Sequence, residues 1–250
     1  MNYLMGIDLG TSSTKTLIID ELGRTVGIGN ASYGLQIPQI SYAEQDPEEW
    51  WQAVKKSIAE ALKKADIQSK EIRGIGFSGQ MHGMVALDEQ KKLVCPAIIH
   101  LDQRSGAELE EMRSLAGNLM REELLNRPSA GMLISTIYWM KKHQPEQYDR
   151  IRYVMSPKDY IAFRLCGEIG TEYTDAAATL AFSVKNRRWC SEWFRCLGIK
   201  EDIWASVHNS YDIMGKVTKE AAEETGLSTE TCVVCGAGDS LAALTGNGVI

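Results

Sequence analysis

The first thirty-two residues alternate in a way that predicts a small antiparallel sheet. Leu4, Met5 and Ile7 form a short apolar strand that ends in Asp8, and Gly10, Thr11, Ser12 and Ser13 turn the chain. Thr14 to Ile19 leaves as a second strand, Gly23 marks another turn, and Thr25 to Ser32 adds a third. The period then lengthens. Asp46 as N-cap, Pro47 at the first helical position and Glu49 three residues on read as a capping box, and Trp50, Val54, Ile58, Ala61 and Leu62 follow as a buried helical stripe.

Glu71 to Ser78 returns to strand, and Met84 to Leu87 resumes after the polar interruption Gly79, Gln80, Met81, His82, Gly83. Val94 to Ile99 predicts a further strand, after which Asp102 caps a helix beginning near Arg104. From there to about Glu224 the pattern is mostly helical. Pro145, Pro157, Gly167, Gly170 and Gly198 cut it into short helices, and Thr171 to Leu180 reads as a small-residue loop. The expectation is a helical insertion over roughly 104–224, added to a sheet domain. Thr231 to Cys235 then predicts a buried strand, the stretch Gly236 to Ser240 a turn, and Leu241 to Leu244 the start of a helix.

At 250 residues the chain can bury a substantial core. A net charge of -6 argues against a nucleic-acid surface, because phosphate backbones are gripped by clustered Lys and Arg. The nearest basic cluster, Lys185, Arg187 and Arg188, is short. No apolar run is long enough to span a bilayer and the N-terminus enters a strand directly, so no membrane partner is expected and the cytoplasm is the default location. Six scattered cysteines then read as reduced thiols. Cys232 and Cys235, set in an apolar run with no second such pair, read as strand residues and not as a zinc site. Trp50, Trp51, Trp139 and Trp189 suit a core or an interface, so a homodimer stays open.

Three stretches have the composition for chemistry. A glycine followed by small hydroxyl residues lets N–H and O–H groups approach phosphoryl oxygens, while a carboxylate beside it can hold a cation through water. Gly10, Thr11, Ser12 and Ser13 with Asp8 meet that description, as does an ordinary hairpin with a polar tip; Lys15 adds a charge whose side chain could equally face solvent. Gln80, Met81 and His82 lie at a strand end where a ligand could reach the backbone, although a lone histidine there can simply cap a neighbour. Asp239, after Gly236 and Gly238, is placed either to accept a hydroxyl proton or to cap its helix. Two strand-end carboxylates, Asp8 and Asp239, suit phosphoryl transfer better than hydrolysis, and no nucleophile triad or Walker A lysine motif is legible.

The chain resembles the FGGY carbohydrate kinases, and within them the xylulokinases. The resemblance rests on GIDLGTSSTK at 6–15, EQDPEEWW at 44–51, GIGFSGQMHG at 74–83, SPKDY at 156–160, TDAAATL at 174–180 and GAGDSLAALTGNG at 236–248. It implies an α/β fold of ribonuclease H type, the actin-like or hexokinase-type ATPase lobe, with a mixed sheet and a sugar-binding domain over 1–246. Residues 247–250 would begin a hinge to a C-terminal ATP-binding lobe that lies outside the chain and would be its partner. The resemblance further implies a sugar substrate, most closely D-xylulose, with ATP and Mg²⁺ as cofactors. Asp239 would be the proton acceptor, Met81, His82 and Asp239 would contact the sugar, and Asp8 would position Mg²⁺. Gly10 to Ser13, with Lys15, would meet the phosphates. His100, Leu101, Asp102, Gln103 and Arg104 depart from the tryptophan-bearing segment of relatives, which opens one wall of the sugar pocket to change.

Overall fold

The computed structural model describes residues 2–249. The opening hairpin is present, with β1 at Tyr3–Leu9, β2 at Ser13–Ile19 and β3 at Thr25–Ser32. Helix α1 covers Pro47–Ala65 and β4 covers Ile72–Gly79. Later elements complete the sheet: helix α2 at Pro157–Cys166, β5 at Ile213–Lys216, helix α3 at Lys219–Thr225, β6 at Cys232–Val234, β7 at Ala237–Gly238 and helix α4 at Asp239–Gly246. The strand order is β5-β6-β4-β1-β2-β3, with β7 also paired to β4. Strands β1, β4, β6 and β7 run parallel, while β2, β3 and β5 join antiparallel. The sheet is therefore mixed, and the carboxyl ends of β1, β4 and β7 share one edge.

Two cores sit side by side. The first gathers Ile7, Leu9, Ile18, Trp50, Trp51, Val54, Ile58, Ile75 and Phe77 from the sheet and α1, with Ile161 and Leu165 of α2 and Val217 and Ala221 around α3. The tryptophans at 50 and 51 are fully enclosed there. Glycines let α1 approach closely, since a Cβ on Gly29 would lie 1.9 Å from the Ser57 carbonyl oxygen. The second core centres on the Leu133–His143 helix, where Ile134, Ile137, Met140 and buried Trp139 pack with Met112, Trp193 and Phe194.

Several expectations change. Asp46 caps α1 by accepting from the Glu48 N–H at 2.8 Å, but Glu49 turns to the Gly34 N–H at 3.4 Å, so no reciprocal box closes. Strand pairing within Val94–Ile99 shrinks to Ala97–Ile98, matched to Glu44–Gln45. The span 104–224 is not one helical insertion: α2, α3 and β5 return to the main sheet and its core, and only the remainder builds the second core. Thr171 to Leu180 is not a loop, because Gly170–Glu172 is a strand and Tyr173–Ala178 a helix. Its small residues permit close packing there. All six cysteines are free thiols. Among the described residues no helix is long and apolar enough to cross a membrane.

Candidate active site

Register puts the candidate residues in rows. Asp8 pairs with Ser78, which pairs on its other side with Ala237, and the next row is Leu9, Gly79 and Gly238. Neighbouring strands lie roughly 4.8 Å apart, so Asp8 and Ala237 are separated by about 10 Å across β4. Asp239 follows as the first residue of α4 and is exposed. The two acids thus stand at the same sheet edge, one strand apart. Gly236 makes this possible: its φ is +76° and a Cβ would lie 2.1 Å from the Phe77 carbonyl oxygen, so the chain can jog between β6 and β7 against β4 only without a side chain.

On the Asp8 side, the Ser78 hydroxyl donates to Asp8 Oδ1 at 2.8 Å. Lys15 is the direct cross-strand partner of Asp8, and both line an open cavity of about 520 Å³ with Ser78, Tyr211 and Gly236. Asp239 is not in that lining. The turn between β1 and β2 is held from its acceptor side: the Tyr33 hydroxyl donates to the Gly10 carbonyl, Gln45 Nε2 to the Thr11 carbonyl at 2.7 Å, and the Tyr33 N–H to the Ser12 carbonyl at 3.1 Å. Burial, and then the Asp8 charge, push the Tyr33 phenol upward, so it stays protonated and keeps donating. Among the described residues the hydroxyls of Thr11, Ser12 and Ser13 have no hydrogen-bond partner and remain available to a ligand.

On the Asp239 side, Met81 lies over Gly238, where a Cβ would be 2.7 Å from its sulfur. His82 has φ of +70°, and its Nδ1 is 2.8 Å from the Ala178 carbonyl. A carbonyl only accepts, so Nδ1 carries the proton and Nε2 is the free ring nitrogen. His100, from the segment flagged by its departure from relatives, joins them: burial, and then the His82 charge, lower its pKa, while the nearby Asp239 acts in the opposite sense. Its Nδ1 is buried without a partner among the described residues. Asp239 Oδ1 accepts from the Ser240 N–H at 2.6 Å and from the Ser240 hydroxyl at 3.1 Å, leaving Oδ2 without a donor among the described residues.

The sequence pattern missed what lies beneath. Lys158 is fully buried with Asp159 at 2.6 Å, Asp175 at 3.0 Å and Glu172 at 3.5 Å. Burial opposes its charge but three carboxylates outweigh it, so the ammonium is held protonated. Burial likewise pushes up the Asp159 and Asp175 carboxyls, whereas for Glu172 the Lys158 charge and donors from Thr174 and Asp175 overcome it. Glu172 accepts from the Thr174 hydroxyl at 2.7 Å, and that hydroxyl accepts the Gly238 N–H at 2.9 Å. The sequence carries these residues in SPKDY at 156–160 and TDAAATL at 174–180, but nothing in either stretch shows that they meet.

The match to known proteins follows the same geometry. Residues 3–246 match the model for the FGGY family of carbohydrate kinases, N-terminal domain. The chain belongs to this family. The FGGY domain is 34% identical over its whole length to the xylulose kinase of Bacillus subtilis (strain 168), covering 50% of that protein. It superimposes over all of its length on 51% of a xylulose kinase from Rhodospirillum rubrum with a TM-score of 0.93 and 25% identity. A gluconate kinase from Lactobacillus acidophilus gives a TM-score of 0.88 at 26% identity, over 96% of this chain and 48% of that one. The chain therefore spans about half the length of the relatives it matches. These likenesses also establish the actin-like ATPase fold expected from the motifs.

Proposed function

We propose that this FGGY domain supplies the sugar site and half of the phosphate site of an ATP-dependent carbohydrate kinase, converting D-xylulose to D-xylulose 5-phosphate. The observation that carries the reading is the shared sheet edge, with Asp8 and an open hydroxyl turn on one side of β4 and Met81, His82 and Asp239 on the other. Sequence likeness to the xylulose kinase of Bacillus subtilis favours the pentulose.

In this mechanism Asp239 takes the proton of the attacking sugar hydroxyl through its unengaged oxygen, a contribution of about 10²–10⁴ in rate. Met81 and His82 hold the sugar so that this hydroxyl faces the phosphate turn. The hydroxyls of Thr11, Ser12 and Ser13, with Lys15, receive the phosphoryl oxygens, in a turn that the Gly10 N–H closes onto the Ser13 carbonyl at 3.0 Å. ATP would be completed by a second lobe of the kind present in the longer relatives, whose closure would exclude water. One hard carboxylate oxygen at Asp8, free of the Ser78 hydrogen bond, fits Mg²⁺ held through water together with nucleotide phosphates. Among the described residues no cluster of three or more ligating side chains exists to bind a metal without a nucleotide. The ion, when bound, would stabilise charge on the transferring group.

A second reading within the same class, a kinase for another pentulose, a polyol or a sugar acid, is favoured by His100, which brings a second imidazole beside Asp239. A non-catalytic sugar-binding lobe is disfavoured by the retention of both Asp8 and Asp239. Calorimetric titration of the chain with D-xylulose, D-ribulose, glycerol and gluconate tests these readings. Saturable binding tightest for D-xylulose supports the main one, and another order of affinities, or none, overturns it.

A further inference from the structure

Asp239 is carried by a segment with little of its own to fix it. Gly236 and Gly238 precede it without side chains, and glycine loses more conformational freedom on ordering than any other residue. Beyond the short pairing of Ala237 and Gly238 with β4, the place of the carboxylate therefore depends on what holds these two backbones. Two N–H groups do so: Gly236 donates to the Ser210 carbonyl at 2.9 Å, and Gly238 donates to the Thr174 hydroxyl at 2.9 Å. The tethers come from different segments, yet they meet at one group. The Ser210 hydroxyl donates to Glu172 Oε2 at 2.9 Å, and the Thr174 hydroxyl donates to Glu172 Oε1 at 2.7 Å.

Glu172 is also the N-cap of the helix Tyr173–Ala178, accepting the Thr174 N–H at 2.8 Å and the Asp175 N–H at 2.9 Å. Capping by itself asks only for a short side chain such as aspartate, asparagine or serine. The longer glutamate, fully buried with the Lys158 ammonium at 3.5 Å, does more. Each of its oxygens takes one helix N–H and one hydroxyl, and both hydroxyls belong to residues that hold the segment before Asp239. We propose that Glu172 is a positioning residue for the proposed base: by holding Ser210 and Thr174 together it fixes Gly236 and Gly238, and through them the direction in which Asp239 meets the sugar. This rests on the reading of Asp239 as a sugar contact.

Glu172→Asp separates positioning from capping. Aspartate keeps the charge and caps a helix well, but it is one methylene shorter and cannot span the cap and both hydroxyls. The wild-type chain, Glu172→Asp, Asp239→Ala and the double variant are titrated with D-xylulose by calorimetry, which completes a double-mutant cycle. The expected result is an about tenfold loss of affinity in Glu172→Asp that is absent when residue 239 is already alanine. An equal loss in both backgrounds, or no loss in Glu172→Asp, would show that Glu172 only supports its helix and overturns the inference while the sugar site stands. If Asp239→Ala binds D-xylulose as wild type does, or wild type does not bind it, the sugar-contact reading fails and takes the inference with it. If Glu172→Asp does not fold, Ser210→Ala replaces it in the same cycle. That variant keeps Glu172 and its helix cap, removes one tether and is read in the same way.

Discussion

The Thr174 hydroxyl accepts the N–H of Gly238 at 2.9 Å, one residue before Asp239, while donating to the buried Glu172 carboxylate at 2.7 Å. The backbone that aims the proposed base is therefore hung from the ion cluster around Lys158. Both roles use one oxygen, so a hydroxyl is needed and its methyl is dispensable. Thr174→Val should lower stability by about 1–3 kcal/mol, because it strands a backbone donor and deprives a buried carboxylate of a donor. Thr174→Ser should restore most of it. Denaturant melts of the three proteins check this, and equal stability of Val and Ser variants would refute it.

Asp239→Ala should leave the fold intact, since the side chain is exposed and, among the described residues, hydrogen-bonded only to its neighbour Ser240. In a protein carrying both lobes, sugar phosphorylation measured by a coupled ADP assay should fall about 10²–10⁴-fold. Near-normal turnover would remove Asp239 from the role of base.

Asp175 gives stability a pH dependence. Burial raises its pKa to about 7, against an ordinary value of 3.8. The folded state therefore holds this proton more tightly than the unfolded state. Its contribution is complete below about pH 4 and is lost as pH rises through about 7. Asp175→Asn, which cannot ionise, should flatten the fall in melting temperature between pH 5 and 8 relative to wild type. A parallel pair of profiles would show that Asp175 does not titrate in that range.

Gly29 sets the distance between α1 and β3. A methyl group there would sit 1.9 Å from the Ser57 carbonyl oxygen, and Gly27 would bring one to 2.3 Å from that of Ala61. Both obstacles are helix backbone, which cannot rotate away. Gly29→Ala should cost about 1–3 kcal/mol or more by overpacking, whereas Gly6→Ala, with nothing within 4 Å, should be nearly neutral. Chemical denaturation of the two variants decides, and a neutral Gly29→Ala would mean that α1 can shift.

Much of this was legible locally. The strand at Thr25–Ser32 and the cap by Asp46 depend on alternation and on one side chain beside its own helix, and both are present. The reciprocal bond from Glu49 failed because Gly34, fifteen residues away, offered a competing donor. The stretch after Thr171 was misread because its alanines carry no periodic contrast, although helix Tyr173–Ala178 needs small residues to pack. The candidate site divides in the same way. Asp8, Met81, His82 and Asp239 stood out because each lies at a strand end within two residues of a glycine, whereas Gln45, Thr174 and Lys158 carry no such mark.

By itself, the sequence determined the three opening strands, the Asp46 cap and which polar residues stand at strand ends, because these depend on neighbours along the chain. Only the tertiary structure decided that Ala237 and Gly238 pair with Ser78 and Gly79, so that Asp239 reaches the edge already occupied by Asp8. It alone also set the Gln45 amide between the Thr11 carbonyl and the Trp50 indole, since a buried amide takes its direction from donors and acceptors that other segments bring to it.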